Sequence, residues 1–267
     1  MSTSTAFVQA KADGRAALIG YLPAGFPDVD GGIEALTAMV AAGCDVIEVG
    51  LPYSDPVMDG PTIQAAAQQA LDGGVRTRDV LRTVEAVAAT GVPTVVMTYW
   101  NPVEKYGVEA FARDLAAAGG SGLITPDITP DYAEHWIAAA DEHDLDKIFL
   151  VAPSSTDERI AMTTAACRGF VYATGVMGVT GGKAATTDVV GPLVARTHAL
   201  APAGLPVGVG VGVSTAAQAT QVAAAGAEAV IVGSAFVRTL LENAGDPAAG
   251  LKALSALTEE LAAGVRR

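Results

Sequence analysis

The chain has 267 residues, 51% hydrophobic and 17% charged, with 16 Lys+Arg against 29 Asp+Glu and a formal net charge of −13. That composition excludes a disordered chain, and the acidic balance argues against a nucleic-acid surface, so an anion must be gripped locally by oriented N–H groups rather than by a basic field. The two cysteines, Cys44 and Cys167, lie in apolar stretches that suit buried reduced thiols, and neither a secretory leader nor an 18-residue apolar run is visible, so a cytoplasmic protein without a membrane span is expected.

Along the chain one unit recurs: an Ala-rich helix ends in Gly and a short β-branched apolar run follows. It reads in order through Gly43-Cys44-Asp45-Val46-Ile47-Glu48-Val49, Gly91-Val92-Pro93-Thr94-Val95-Val96, Gly119-Gly120-Ser121-Gly122-Leu123-Ile124 and Gly226-Ala227-Glu228-Ala229-Val230-Ile231-Val232. Gly after a helix is the left-handed stop signal, and continuous apolar runs suit strands buried on both faces, which need parallel neighbours joined by helices. The pattern predicts strands near 17–21, 46–49, 94–98, 122–124, 147–151, 170–173, 207–209 and 229–232. Helices are predicted near 31–42, 77–89, 108–118, 131–143, 156–167, 189–200, 214–225 and 235–243, with a ninth at 248–265. Eight strands alternating with eight helices is the count of an α/β (β/α)8 TIM barrel, whose usual length of roughly 250 residues fits residues 1–267 as one domain. An open doubly wound sheet is the rival; eight even units with no long break favour closure.

Barrel enzymes work at the C-terminal ends of their strands, and phosphate is commonly held after strands 7 and 8. Glycines gather there: Gly178-Val179-Thr180-Gly181-Gly182 after strand 6, Gly208-Val209-Gly210-Val211-Gly212-Val213-Ser214 at strand 7, and Gly233-Ser234 opening a helix after strand 8. Any one cluster is explained by a tight βα turn. Three at neighbouring strand ends point to a cradle in which backbone N–H groups and a helix dipole hold an anion.

Glu48 stands between Ile47 and Val49 in an apolar strand, where an unpaired carboxylate is costly to bury. Turned into the barrel mouth it gains a raised pKa and suits general acid/base work; the alternative is a salt-bridged interior glutamate. A stiff proline-rich loop follows, carrying Asp55 and Asp59, and Asp59-Gly60 is also a common turn pair, so spacing alone does not decide its role. His135, His143 and His198 fall on polar helix patterns, and no Cys/His cluster has metal-ligand spacing.

The run Glu48-Val49-Gly50-Leu51-Pro52-Tyr53-Ser54-Asp55-Pro56-Val57-Met58-Asp59-Gly60-Pro61-Thr62 resembles the strand-2 and loop-2 signature of the tryptophan synthase α subunit family. The likeness continues in Gly20-Tyr21-Leu22-Pro23-Ala24-Gly25-Phe26-Pro27, Tyr99-Trp100-Asn101-Pro102, Pro126-Asp127 and the glycine motifs of strands 6 to 8. It implies retro-aldol cleavage of indole-3-glycerol phosphate to indole and glyceraldehyde 3-phosphate, with Glu48 as general acid/base and Asp59 holding the indole N–H. By position it also implies that Tyr21, Met97 and Asp127 line the indole pocket, that Tyr172 borders the glycerol portion, and that Thr180 closes onto Asp59. Gly181, Gly212, Gly233 and Ser234 match the phosphate-binding positions. The resemblance further implies no cofactor in this chain and a pyridoxal-phosphate-dependent β subunit as partner in an αββα complex, facing Pro52 and Asp55 of loop 2. Two departures stand out: Thr174-Gly175-Val176-Met177 lacks the arginine often found ahead of loop 6, and Val211 replaces a common phenylalanine.

Overall fold

The computed structural model describes residues 1–175 and 187–266. Its strands are β1 (Ala17–Pro23), β2 (Val46–Gly50), β3 (Thr94–Met97), β4 (Gly122–Ile124), β5 (Asp146–Ile148), β6 (Leu150–Val151), β7 (Val171–Thr174), β8 (Val207–Gly210) and β9 (Ala229–Val232). Every pairing is parallel, in the order β5-β4-β3-β2-β1-β9-β8-β7-β6. β5 and β6 are two halves of one stave: the first pairs with β4 and the second with β7. Between them the Phe149 carbonyl still accepts the Tyr172 N–H at 3.0 Å. The predicted strand at 147–151 therefore closes the cylinder by changing partner partway, as the tilt of barrel strands requires. Closure decides against the open sheet.

The helices are α1 (Ser4–Ala12), α2 (Val29–Ala41), α3 (Pro61–Asp72), α4 (Thr77–Ala88), α5 (Trp100–Tyr106), α6 (Val108–Ala117), α7 (Glu134–Glu142), α8 (Asp157–Ala166), α9 (Thr187–Leu200), α10 (Ala216–Ala224), α11 (Ser234–Glu242) and α12 (Pro247–Gly264). Three of them were not expected. α3 begins with Pro61 at its first turn and buries Ile63, Ala66, Ala67 and Ala70 at helical spacing, a pattern hidden beside the proline-rich loop. α1 and α5 are short. The helix expected at 131–143 is instead a 3-10 turn, Pro130–Tyr132, followed by α7, because Ala133 leaves the helical region. The expected start at Ser214 shifts by one: Thr215 caps α10 by accepting the Gln218 N–H, while the Ser214 N–H donates to Gln218 Oε1 at 2.8 Å.

Strand alternation divides the apolar side chains between two compartments. Leu18, Ile47, Val49, Val96 and Leu123 pack outward under the helices. Ile19, Val46, Val95, Ile124, Ile148, Phe170 and Ile231 fill the cylinder, joined from below by Phe7 of α1. The Phe7 and Phe170 rings lie 5.4 Å apart, so α1 plugs the N-terminal end of the barrel. Buried Asp146 fastens the plug: its carboxylate accepts from the Thr3 N–H and hydroxyl, both at 2.7 Å, and from the Ser2 hydroxyl. The floor is thus apolar and sealed, and polar side chains facing inward collect at the opposite mouth.

Candidate active site

Val46 faces the inner compartment and Ile47 and Val49 the outer one, so Glu48 points inward, one layer above Val46. Parallel register sets Tyr21 beside it on β1 and Val95 on β3. Glu48 is 1% exposed, and its Oε2 has no hydrogen-bond partner among the described residues. Burial, with the negative Asp59 adding to it, pushes its carboxyl from 4.5 up to about 8. A carboxylic acid held protonated at neutral pH is the state a proton donor needs.

The two phenols beside Glu48 are seated on glycines. A Cβ at Gly50 would strike the Tyr21 ring and hydroxyl, and one at Gly210 would strike the Tyr172 hydroxyl. A Cβ at Gly233 would come within 3.1 Å of the Tyr21 ring. These glycines leave the room that the two aromatic side chains occupy. Burial raises both phenols well above their usual range, and Glu48, once ionised, adds to the rise in each, Asp59 acting more strongly on Tyr21. Both stay neutral. Met97, paired in register with Gly50, packs on the top of the inner cluster.

Asp59 reaches the same mouth from the loop after β2. Its Oδ1 accepts the Tyr99 hydroxyl at 3.1 Å, and that hydroxyl accepts the Met58 N–H at 3.0 Å. Burial raises the Asp59 carboxyl above its ordinary value, and the Tyr99 hydrogen bond opposes the rise. The loop is braced further: the Tyr53 ring lies 5.4 Å from Tyr99, the Asn101 amide donates to the Tyr53 hydroxyl at 3.2 Å, and the Gln64 amide donates to the Asp59 carbonyl at 2.7 Å. Sequence reasoning gave Tyr99 no role. A hydroxyl-bearing aromatic immediately after the C-terminal end of a barrel strand was the signal available. Asp127, at the exposed rim after β4, accepts the Trp100 N–H with both oxygens, at 2.9 and 3.1 Å.

On the opposite wall, Gly210 of β8 pairs with Ile231 of β9, which places Gly212 and Gly233 the same two steps beyond that pair. Gly212 has φ +75°, a left-handed conformation natural to glycine. Gly233 is the N-cap of the nine-residue α11 and makes no side-chain cap hydrogen bond, so among the described residues no capping side chain takes up the first N–H groups of α11, which begin with Ser234 at the C-terminal end of β9. A helix start of this kind is able to hold an anion with its free N–H groups. Thr180 and Gly181 lie outside the described residues, as does the whole of the glycine cluster 178–182. Among the described residues, no group of three or more His, Cys, Asp or Glu could hold a metal ion, and no helix is long and apolar enough to cross a membrane. His198 is less free than its polar surroundings implied: its Nε2 lies 3.2 Å from Glu228, far from the mouth.

A closed parallel barrel with an uncharged glutamic acid, a second carboxylate and a backbone cradle at one mouth belongs to the class of barrel enzymes that act by proton transfer on a small anionic substrate. The family model for the tryptophan synthase alpha chain matches residues 7–266, and the chain belongs to that family. The tryptophan synthase alpha chain of Salinispora arenicola is 64% identical over 261 residues, 98% of this chain and 96% of that one. That of Mycobacterium tuberculosis strain H37Ra is 60% identical over 260 residues, 97% and 93% of the two chains. A solved structure of Mycobacterium tuberculosis tryptophan synthase superposes with TM-score 0.92 at 58% identity, covering 99% of this chain and 98% of that one. The tryptophan synthase subunit alpha of Legionella pneumophila, only 29% identical, still gives TM-score 0.89 over 99% and 98% of the chains.

Proposed function

We propose that this chain cleaves indole-3-glycerol phosphate to indole and glyceraldehyde 3-phosphate, with Glu48 carrying the proton through the whole cycle. The protonated carboxyl of Glu48 gives its proton to indole C3, which makes the ring an electron acceptor and leaves a positive charge centred on the ring nitrogen. Asp59, held by Tyr99, accepts the indole N–H and stabilises that charge. The Glu48 carboxylate then takes the proton of the glycerol hydroxyl next to the ring. The carbon–carbon bond breaks as the carbonyl of glyceraldehyde 3-phosphate forms, and the bonding pair returns to the ring as indole. Glu48 ends protonated, ready for the next substrate, and no group outside the substrate gains or loses electrons.

Tyr21 and Met97 wall the indole, Asp127 borders it from the β4 end, and Tyr172 lies beside the glycerol portion. Gly212, Gly233 and Ser234 hold the phosphate with backbone N–H groups, joined by Gly181; Thr180 closes over Asp59. The chain works in the cytoplasm as the α subunit of an αββα complex and passes indole to a β subunit. Pyridoxal phosphate belongs to that subunit, and this chain needs no cofactor of its own.

One observation carries the reading: a glutamic acid buried at the mouth of a barrel, protonated at neutral pH, with an oxygen that has no partner among the described residues and a second carboxylate on the neighbouring loop. The test is indole release from indole-3-glycerol phosphate by the purified chain, alone and with a tryptophan synthase β subunit. Slow release alone and strong activation by the β subunit are expected; no release in either condition would overturn the assignment.

A further inference from the structure

Asp127 sits at the rim of the site, yet the structure gives its carboxylate a partner other than a substrate. Both oxygens converge on one backbone N–H, that of Trp100, at 2.9 and 3.1 Å. Trp100 is the first residue of α5, and its N–H has no partner inside the helix. The residue before it, Tyr99, is the extended N-cap (φ −67°, ψ 159°) and is 5% exposed. Its hydroxyl donates to Asp59 Oδ1 at 3.1 Å and accepts the Met58 N–H at 3.0 Å. A continuous path therefore runs from the β4 rim to the catalytic loop: the Asp127 carboxylate, the Trp100 N–H, the Tyr99 ring, the Asp59 carboxylate.

We infer that Asp127 is a positioning residue, which fixes the start of α5 so that Tyr99 holds Asp59 at the angle needed to accept the indole N–H. The inference rests on the proposed reaction and deepens it, moving Asp127 from a wall of the pocket to a device for aiming Asp59. The physical reason is the lever. Among the described residues the Trp100 N–H, at the first turn of a seven-residue helix, has no partner but Asp127, and a small rotation there swings the Tyr99 hydroxyl away from Asp59. Phenol and carboxylate stand at hydrogen-bonding distance, where small displacements weaken the bond steeply. Tyr99 also braces Met58 and Tyr53, so the loop that carries Asp59 depends on the same ring.

The test uses the α subunit in complex with its β subunit and measures kcat and KM for indole-3-glycerol phosphate cleavage. Turnover by the wild-type complex tests the reading of the reaction, and ratios among variants test this inference, so the two fail separately. Asp127→Ala is expected to lower kcat about tenfold, the size of one hydrogen bond to a charged group, with KM for the phosphorylated substrate unchanged. Asp127→Asn, whose amide oxygen still accepts the Trp100 N–H, recovers most of that loss. In a Tyr99→Phe background, where no hydroxyl remains to be aimed, Asp127→Ala is expected to cost less than about twofold more. An Asn variant as poor as the Ala variant would show that the charge of Asp127 acts on substrate directly. An undiminished tenfold loss in the Tyr99→Phe background would show that the path does not run through Tyr99. Either result overturns the inference. Should Asp127→Ala fail to fold, Asp127→Glu, whose longer side chain draws the carboxylate off the Trp100 N–H, replaces it in both comparisons.

Discussion

Replacing Glu48 by Gln keeps the shape of the side chain and removes its ability to ionise, and the consequence can be worked out for both stability and catalysis. In the unfolded chain the carboxyl titrates near 4.5, whereas in the folded barrel burial raises it to about 8. The folded state therefore holds a proton that the unfolded state gives up, so rising pH favours unfolding between these values. Glu48 contributes no penalty below pH 4.5; above it the penalty grows by about 1.4 kcal/mol per pH unit, to about 3 kcal/mol at pH 7, and levels off above pH 8. A glutamine side chain in its place carries no such linkage. The Glu48→Gln variant should match wild type in stability near pH 4.5 and exceed it at pH 8, a difference visible as several degrees in Tm for a domain of this size. Its turnover should fall by about 10²- to 10⁴-fold, the usual contribution of a positioned acid/base, with KM little changed. Thermal unfolding from pH 4.5 to 9 and indole release from indole-3-glycerol phosphate measure the two arms. Near-wild-type turnover would remove Glu48 from the mechanism, and a stability gap that does not widen with pH would show that its carboxyl is not held protonated by burial.

The same proton sets the pH profile of the wild-type enzyme: kcat/KM should decline above about pH 8 as Glu48 ionises, and a flat profile to pH 10 would contradict the donor role. Gly212→Leu puts a side chain at a left-handed position in the anion cradle, so KM for the phosphorylated substrate should rise about tenfold or more while free indole binding is kept; an unchanged KM would sink the cradle. Gly50→Ala drives a methyl into the Tyr21 ring and should lower kcat while leaving the barrel folded, checked by circular dichroism beside the assay. Phe7→Ala empties the plug beneath Phe170 and should destabilise the fold by about 3 kcal/mol in urea titration, with the active-site residues untouched.

The closed barrel was legible in the sequence because its signals are local and repeated. Helix stops at Gly43, Gly91, Gly119 and Gly226, followed each time by apolar β-branched runs, leave few ways to arrange parallel strands. Glu48 was legible for the opposite reason, as an acid set between Ile47 and Val49 inside such a run, and the loop-2 signature carried the family. The helices α1, α3 and α5 were not read, since a short amphipathic stretch next to prolines or at a terminus looks like a loop until something covers its apolar face. In α1 that covering is the barrel floor, reached through Phe7 and the Asp146 latch 143 residues away from Thr3.

By itself, then, the sequence determined the number of staves, the direction of the chain through them and which side chains are candidates for the chemistry, because periodicity and residue type are properties of short segments. Only the tertiary structure decided how strongly Glu48 is driven to hold its proton, since that depends on the burial produced by the surrounding strands and on Asp59 arriving from another loop. It alone also joined Asp127 to Trp100, 27 positions away, and the adjacent Tyr99 to Asp59, 40 positions away, contacts that form because neighbouring staves bring their ends to one mouth.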